Sequence, residues 1–200
     1  MKKTLIITAV LFFISMNSNI FCQTGPTSLT GKSANRTTLV PFLGGVLPIS
    51  DLGEQYGFGY QAGCGVNYPI SSSTYIGLRI SYNFIPRSNN DVSYTTSGGV
   101  SNIPINLILK GNFTSKSSLQ PYYQLGFMLN IWDKNFTQEN EFNHYTYVGN
   151  WTSIGINFGL GINQPISEKL SLDISPMLNI DLDEGTAMYL TFSAGLSFEL

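Results

Sequence analysis

Apolar and polar positions alternate with a period of two along most of this chain, and the alternation returns about eight times with almost no charge in it. Residues 57–68 show it best. Phe58, Tyr60, Ala62, Cys64, Val66 and Tyr68 fall on one parity; Gly57, Gly59, Gln61, Gly63, Gly65 and Asn67 fall on the other. Successive strand side chains point to opposite faces, so this is a strand with one greasy face and one small, polar face. A solvated sheet normally carries Lys and Glu on its wet face. Here that face is Gly, Ser, Asn, Thr and Gln. Strands of this kind, joined alternately by short and long connections, are what a transmembrane β-barrel requires.

The pattern predicts strands within 36–49 and at 57–70, 74–85, 100–113, 119–131, 152–166, 170–181 and 188–200. Each is longer than the roughly 9–11 residues that a tilted strand needs to cross a bilayer. The first is apolar on both parities, so its register is left open. Elsewhere one face is clear, as with Ile76, Leu78, Ile80, Tyr82 and Phe84 against Gly77, Arg79, Ser81 and Asn83. Pro176 falls mid-strand on the apolar face and has no N–H for a ladder, so a bulge is expected there. Trp132 and Trp151 fall on the polar parity and are assigned to a loop. The connections 71–73, 114–118 and 167–169 are short. Those at 50–56, 86–99, 132–151 and 182–186 are mostly longer. Outer-membrane barrels have short periplasmic turns and longer outer loops, and an even strand count puts both termini in the periplasm. The expected fold is therefore all-β: an eight-stranded antiparallel up-and-down transmembrane barrel over 36–200.

Residues 1–22 form a separate object. Lys2 and Lys3 precede an apolar stretch, 4–16, of signal-peptide length and too short to span as a helix. Cleavage is expected after Cys22. A lipoprotein reading would make Cys22 the first mature residue, but bulky Phe21 sits where a lipobox has a small residue. Removal leaves eight basic and twelve acidic residues and one cysteine. Residues 23–35 read as a polar, flexible periplasmic arm.

Composition sharpens the reading. Charged residues are 11% of the chain and aromatics 13%, against roughly 25% charged in ordinary soluble domains. A disordered chain needs more charge and fewer aromatics. The net charge of −2 gives no basic surface for nucleic acid. With Cys22 and Cys64 alone, neither a disulfide framework nor a cysteine metal site is supported.

The segments YQAGCGVNYPIS, SNIPINLILKGNF, LQPYYQLGF and the closing YLTFSAGLSFEL make the chain resemble the small eight-stranded outer-membrane β-barrel proteins of the OmpA/OmpX type, as found in Bacteroidota. The resemblance covers about residues 36–200. It implies an outer-membrane location and insertion by the barrel assembly machinery. That machinery reads alternating apolar residues in the last strand, here Phe192, Leu196, Phe198 and Leu200. The family ends on an aromatic residue, and this chain ends on Leu200.

Outward aromatics near the strand ends mark two girdles: Tyr68, Phe113 and Tyr123 (with Phe198) on the periplasmic side, and Phe58, Tyr82 and Phe84 on the outer side. The inward parity carries Arg79, Lys110, Asp173 and Glu199, which strand direction places at similar depth in the lower barrel. Charges there are costly to bury unless paired, so they are expected to form an interior network with Arg79 as its fork-shaped centre.

Catalytic, metal and cofactor sites are not assigned. His144, the only histidine, lies near Glu139, Glu141 and Thr146, but no nucleophile is marked. Asp181, Asp183 and Glu184 lack a cation-loop signature and read as a solvated acidic turn. Tyr94, Phe136, Phe142, Tyr145 and Tyr147 make the long loops aromatic, which favours contact with an extracellular partner. The expected role is a plugged structural or interaction barrel set in outer-membrane lipid. A narrow porin-like pore is the alternative, and a lipid-modifying enzyme a weaker one. A soluble lipocalin-type barrel, apolar face inward, is opposed by the low charge of the other face.

Overall fold

Alternation of this kind buries nothing until the sheet closes, because each strand has one apolar face and two unsatisfied edges. The computed structural model closes it: β1 (Thr38–Ile49), β2 (Gly59–Pro69), β3 (Thr74–Pro86), β4 (Thr95–Asn112), β5 (Gln120–Glu139), β6 (His144–Pro165), β7 (Leu170–Asp181) and β8 (Met188–Glu199) pair in sequence order, and β8 pairs back onto β1. Every pairing is antiparallel. Closure removes both sheet edges. The structure describes residues 36–88, 95–115, 118–139, 144–183 and 187–200, and the side chains of Thr95 and Thr96 are outside that description. The expected signal peptide (1–22) and arm (23–35) lie outside the described residues, as do Tyr94, Glu141, Phe142 and Glu184. A five-residue helix, α1 (Asp51–Gln55), follows β1 and packs Leu52 against the barrel core.

The apolar parity faces outward. Phe127 is 74% exposed, and Tyr60, Leu78, Leu107, Ile154 and Leu160 stand on the same outer surface. The polar parity faces inward: Gln61, Asn83, Asn106, Gln124, Asn157 and Thr191 are buried. The register of β1, open from its sequence, is set by its two partners. They turn Val40, Phe42 and Val46 inward and leave Leu43 and Leu47 on the outer face.

Two corrections concern the longer strands. β4 starts at Thr95, β5 runs for 20 residues and β6 for 22, so most of the expected loop 132–151 is a β-hairpin continuing the wall. Trp132 and Trp151 belong to its strands and sit directly opposite each other. The bulge expected at Pro176 is absent, since the β7–β8 register runs through it unbroken. Instead the β6–β7 ladder omits the pairs at Leu160 and Gly161. Pro41 and Pro104 sit at similar gaps, in the β1–β8 and β3–β4 ladders. A proline withholds one N–H from one neighbour only, so the ladder can skip a bond without an inserted residue.

The barrel has two unlike ends. The turn end carries the connections 70–73, 113–119 and 166–169. The loop end carries α1, the β5–β6 hairpin and the remaining connections. Two Gly–Tyr pairs tighten the turn end. The ring of Tyr122 covers Gly161 inside the barrel, and that of Tyr123 covers Gly111 outside, so a methyl group on either glycine would collide with a ring.

Candidate functional site

The inward parity places charge at two depths. At the turn end, Arg79 from β3, Lys110 from β4 and Asp173 from β7 converge. Lys110 Nζ lies 3.0 Å from Asp173 Oδ2, and both side chains keep only about a tenth of their exposure, 11% and 10%. Tyr122 donates its hydroxyl to Asp173 Oδ1 at 2.7 Å. The Lys110 ammonium also lies 3.6 Å from the centre of the Tyr122 ring. Arg79 donates to Ser193 Oγ at 2.7 Å and stacks 3.7 Å from the Phe42 ring centre. The four expected network members therefore divide. Lys110 and Asp173 are paired, with Arg79 beside them, and the hub is the Asp173 carboxylate, not the Arg79 fork. Glu199 stands apart, 3.4 Å from Arg36 at the barrel rim. The register explains the separation: Asp173 faces Gly195 on the neighbouring β8, and Glu199 lies four residues farther along that strand, where it meets the residue that leads into the adjacent β1.

A second cluster lies under the loop end, and it corrects the reading of Asp181 as part of a solvated turn. Asp181 is the last inward residue of β7 and is 3% exposed. Trp132 Nε1 donates to Asp181 Oδ2 at 2.9 Å, Ser153 donates to the same oxygen at 2.9 Å, and Asn130 donates to Oδ1. Asn102 bridges Asn130 Oδ1 and the Tyr189 hydroxyl, each at 3.1 Å. Trp132 meets Tyr189 edge-on at 5.9 Å. Around them Val46, Tyr56, Ile85, Val100 and Met128 form the only sizeable apolar cluster inside the barrel among the described residues. Asp181 shares the parity of Asp173 and Asn179, and that was the signal for its place.

Between the clusters the interior is amide and hydroxyl: Asn157 donates to Asn106 at 2.7 Å, and Ser175 bonds Ser193 at 2.9 Å. Among the described residues, the buried atoms Asn83 Nδ2, Asn102 Oδ1 and Asn157 Oδ1 have no hydrogen-bond partner.

The hairpin above the loop end carries stacked cross-strand pairs, Trp132–Trp151 at 5.5 Å and Phe136–Tyr147 at 4.7 Å. Lys134 lies over Phe136 and Tyr147, and Arg87 over Phe136 and Tyr56. At its tip His144 Nδ1 is 3.6 Å from Glu139, and His144 Nε2 is 3.5 Å from the Thr146 hydroxyl. The order hydroxyl–imidazole–carboxylate is that of a hydrolytic triad. However, the histidine and the glutamate are 62% and 65% exposed, and both contacts are long. A site open to water on every side lacks the desolvation that makes such groups effective.

The outward residues of β8, Phe192, Leu196 and Phe198, are exposed on one face, with Leu200 after them at 71%. Tyr68 and Phe113 are exposed at the turn end and Tyr123 is half-buried there, 5.4 Å from Phe113. Phe58 and Tyr82 are exposed toward the loop end, where half-buried Phe84 meets Tyr60 at 5.4 Å. Cys64 is a free thiol on the outer face.

No family model and no curated protein matches the sequence. The fold does match solved structures. Neisserial surface protein A aligns with a TM-score of 0.56 at 16% identity, covering 85% of this chain and 99% of that one. The outer membrane protein OprG of Pseudomonas aeruginosa gives 0.55 at 12% identity, covering 83% and 96%. A major outer membrane protein of Thermus thermophilus gives 0.53 at 11% identity, covering 82% and 99%. The fold this chain shares is that of small outer-membrane β-barrels.

Proposed function

We propose that this chain is an integral outer-membrane barrel with a plugged interior, and that it acts as a structural and interaction protein presenting its loop end for recognition. The sorting of the two faces carries the reading. A closed barrel whose outer wall is apolar and nearly free of charge is stable in hydrocarbon, whereas in water it would expose that entire wall. Trp132, Tyr122 and Tyr189 are fully buried inside, which supports a plug, since eight strands enclose about as much room as side chains can fill.

On this reading the turn end faces the periplasm and the β5–β6 hairpin faces outward, with exposed Tyr145, Tyr147 and Trp151 available to an extracellular partner. Membrane lipid contacts the aromatic bands. The barrel assembly machinery reads the last strand through Phe192, Leu196, Phe198 and Leu200. No enzymatic activity is proposed, because the Thr146–His144–Glu139 arrangement is exposed and its contacts are long. Planar-bilayer recording tests the plug: the refolded protein is expected to give no steady conductance. A steady open channel overturns the plug and establishes the narrow pore in its place.

A further inference from the structure

The charges buried at the turn end do not balance. Arg79 and Lys110 bring two positive charges and Asp173 one negative. Both Asp173 oxygens are engaged, one by Lys110 and the other by the Tyr122 hydroxyl. Among the described residues Arg79 makes no direct ion pair: it donates to a neutral hydroxyl, that of Ser193, lies on the face of Phe42, and shares the field of Asp173 with Lys110. A guanidinium has five N–H donors and cannot shed its proton to escape burial. Arg79 lines a cavity of about 30 Å³ together with Lys110, Asp173, Asn67, Gln124 and Gly65.

We propose that this cavity is a binding site for one small monovalent anion, chloride in the first instance, held between Arg79 and Lys110. Water in the same place would accept the N–H bonds but leave a net positive charge enclosed in a low-dielectric wall, which is the expensive condition. An anion meets both needs. The size of the cavity selects the class. It has room for at least one water-sized particle, and a halide is the smallest anion that fills it. The group that opposes an anion is Asp173, which lines the cavity as well, but its single charge faces two cations, and both its oxygens are engaged by Lys110 and Tyr122. The residual exposure of Lys110 and Asp173 gives the ion a route from the turn end. The site thus completes the plug: a ligand of the barrel interior neutralises what the side chains leave uncompensated.

The test uses the refolded full chain in detergent. Crystals soaked in bromide are expected to show one anomalous peak in this cavity, within contact distance of the Arg79 guanidinium. In solution, the temperature at which the unboiled gel form converts to the boiled form is expected to rise by a few degrees in chloride or bromide over gluconate at equal ionic strength. Arg79→Gln removes the response and Arg79→Lys retains a weaker one. Gly65→Ala guards against a folding defect. A methyl there meets nothing nearer than 3.5 Å, so the barrel accepts it, yet it occupies part of the cavity with every charge intact. It is expected to weaken halide affinity at least threefold. No bromide peak together with equal midpoints in chloride and gluconate overturns the proposal. So does a halide response that persists unchanged in Arg79→Gln and Gly65→Ala, since the ion then acts elsewhere. Neither result bears on conductance, so failure here is separable from failure of the plug.

Discussion

Removing Asp173 should damage this barrel far more than removing its partner Lys110, although the two share one ion pair. Asp173→Asn leaves Arg79 and Lys110 together at the turn end with no carboxylate between them. Breaking a buried pair so that charge stays uncompensated costs about 3–5 kcal/mol, and the tenth of exposure that both side chains retain argues for the lower end. Lys110→Met leaves one cation and one carboxylate in the same compartment. Asp173 still accepts from Tyr122 at 2.7 Å, and the apolar stem of Met fills much of the space that Lys110 vacates. The loss is then one charge-assisted hydrogen bond, about 1.5–3 kcal/mol, again near the lower figure. The gap of roughly 1.5 kcal/mol is about tenfold in the unfolding equilibrium. Urea titration of the barrel refolded in lipid vesicles, in halide-free gluconate buffer, reads it as a difference in midpoint at constant slope. The double variant should cost less than the sum of the two single ones. Equal penalties, or a larger one for Lys110→Met, would show that Asp173 is not the hub and that Arg79 is neutralised by something else.

Phe127→Arg, at an outer site 74% exposed, should cost about 2–4 kcal/mol on folding into vesicles, whereas Val148→Arg, equally exposed on the projecting hairpin, should change stability by less than about 0.5 kcal/mol; similar penalties at both would erase the membrane band. Gly161→Ala should cost about 1–3 kcal/mol by overpacking against Tyr122, and the cost should largely vanish in a Tyr122→Leu background. Trp132→Phe, which takes from Asp181 a hydrogen bond of 2.9 Å, should lower the urea midpoint by the equivalent of about 1–3 kcal/mol. Protease added to intact cells should cut in the connections at the loop end and spare 70–73 and 113–119; cutting only after the outer membrane is ruptured would reverse the orientation.

The period-two pattern made the fold legible because in a closed barrel each side chain has only two destinations, and hydrophobicity separates them. Where that contrast fades, the sequence says less. Above the apolar band both faces of the β5–β6 hairpin meet polar surroundings, so Asp133–Asn150 and Thr137–Thr146 carry no alternation to reveal a strand. Pairing across the hairpin holds it instead. Inward parity correctly identified Arg79, Lys110 and Asp173 as interior residues. Their partners depended on register between strands distant in sequence, such as the 63 residues that separate Lys110 from Asp173. Glu199 shows the limit, because the β7–β8 register sets it four residues beyond Gly195, the partner of Asp173, and so carries it to the rim. Asp181 was hidden by its neighbours: beside Asp183 and Glu184 it resembled a wet turn, although its parity already pointed inward.

The three prolines bear on how the barrel yields to force. Pro41, Pro104 and Pro176 each loosen one seam, those between β8 and β1, β3 and β4, and β6 and β7. Around a ring of eight staves these are spaced by three, three and two. The wall is therefore a hoop with three compliant joints at nearly even intervals, not a uniform cylinder with one weak line. Such a hoop answers lateral pressure by going slightly oval, sharing the strain among joints that each lack only a bond or two, and no single seam is the place where it splits.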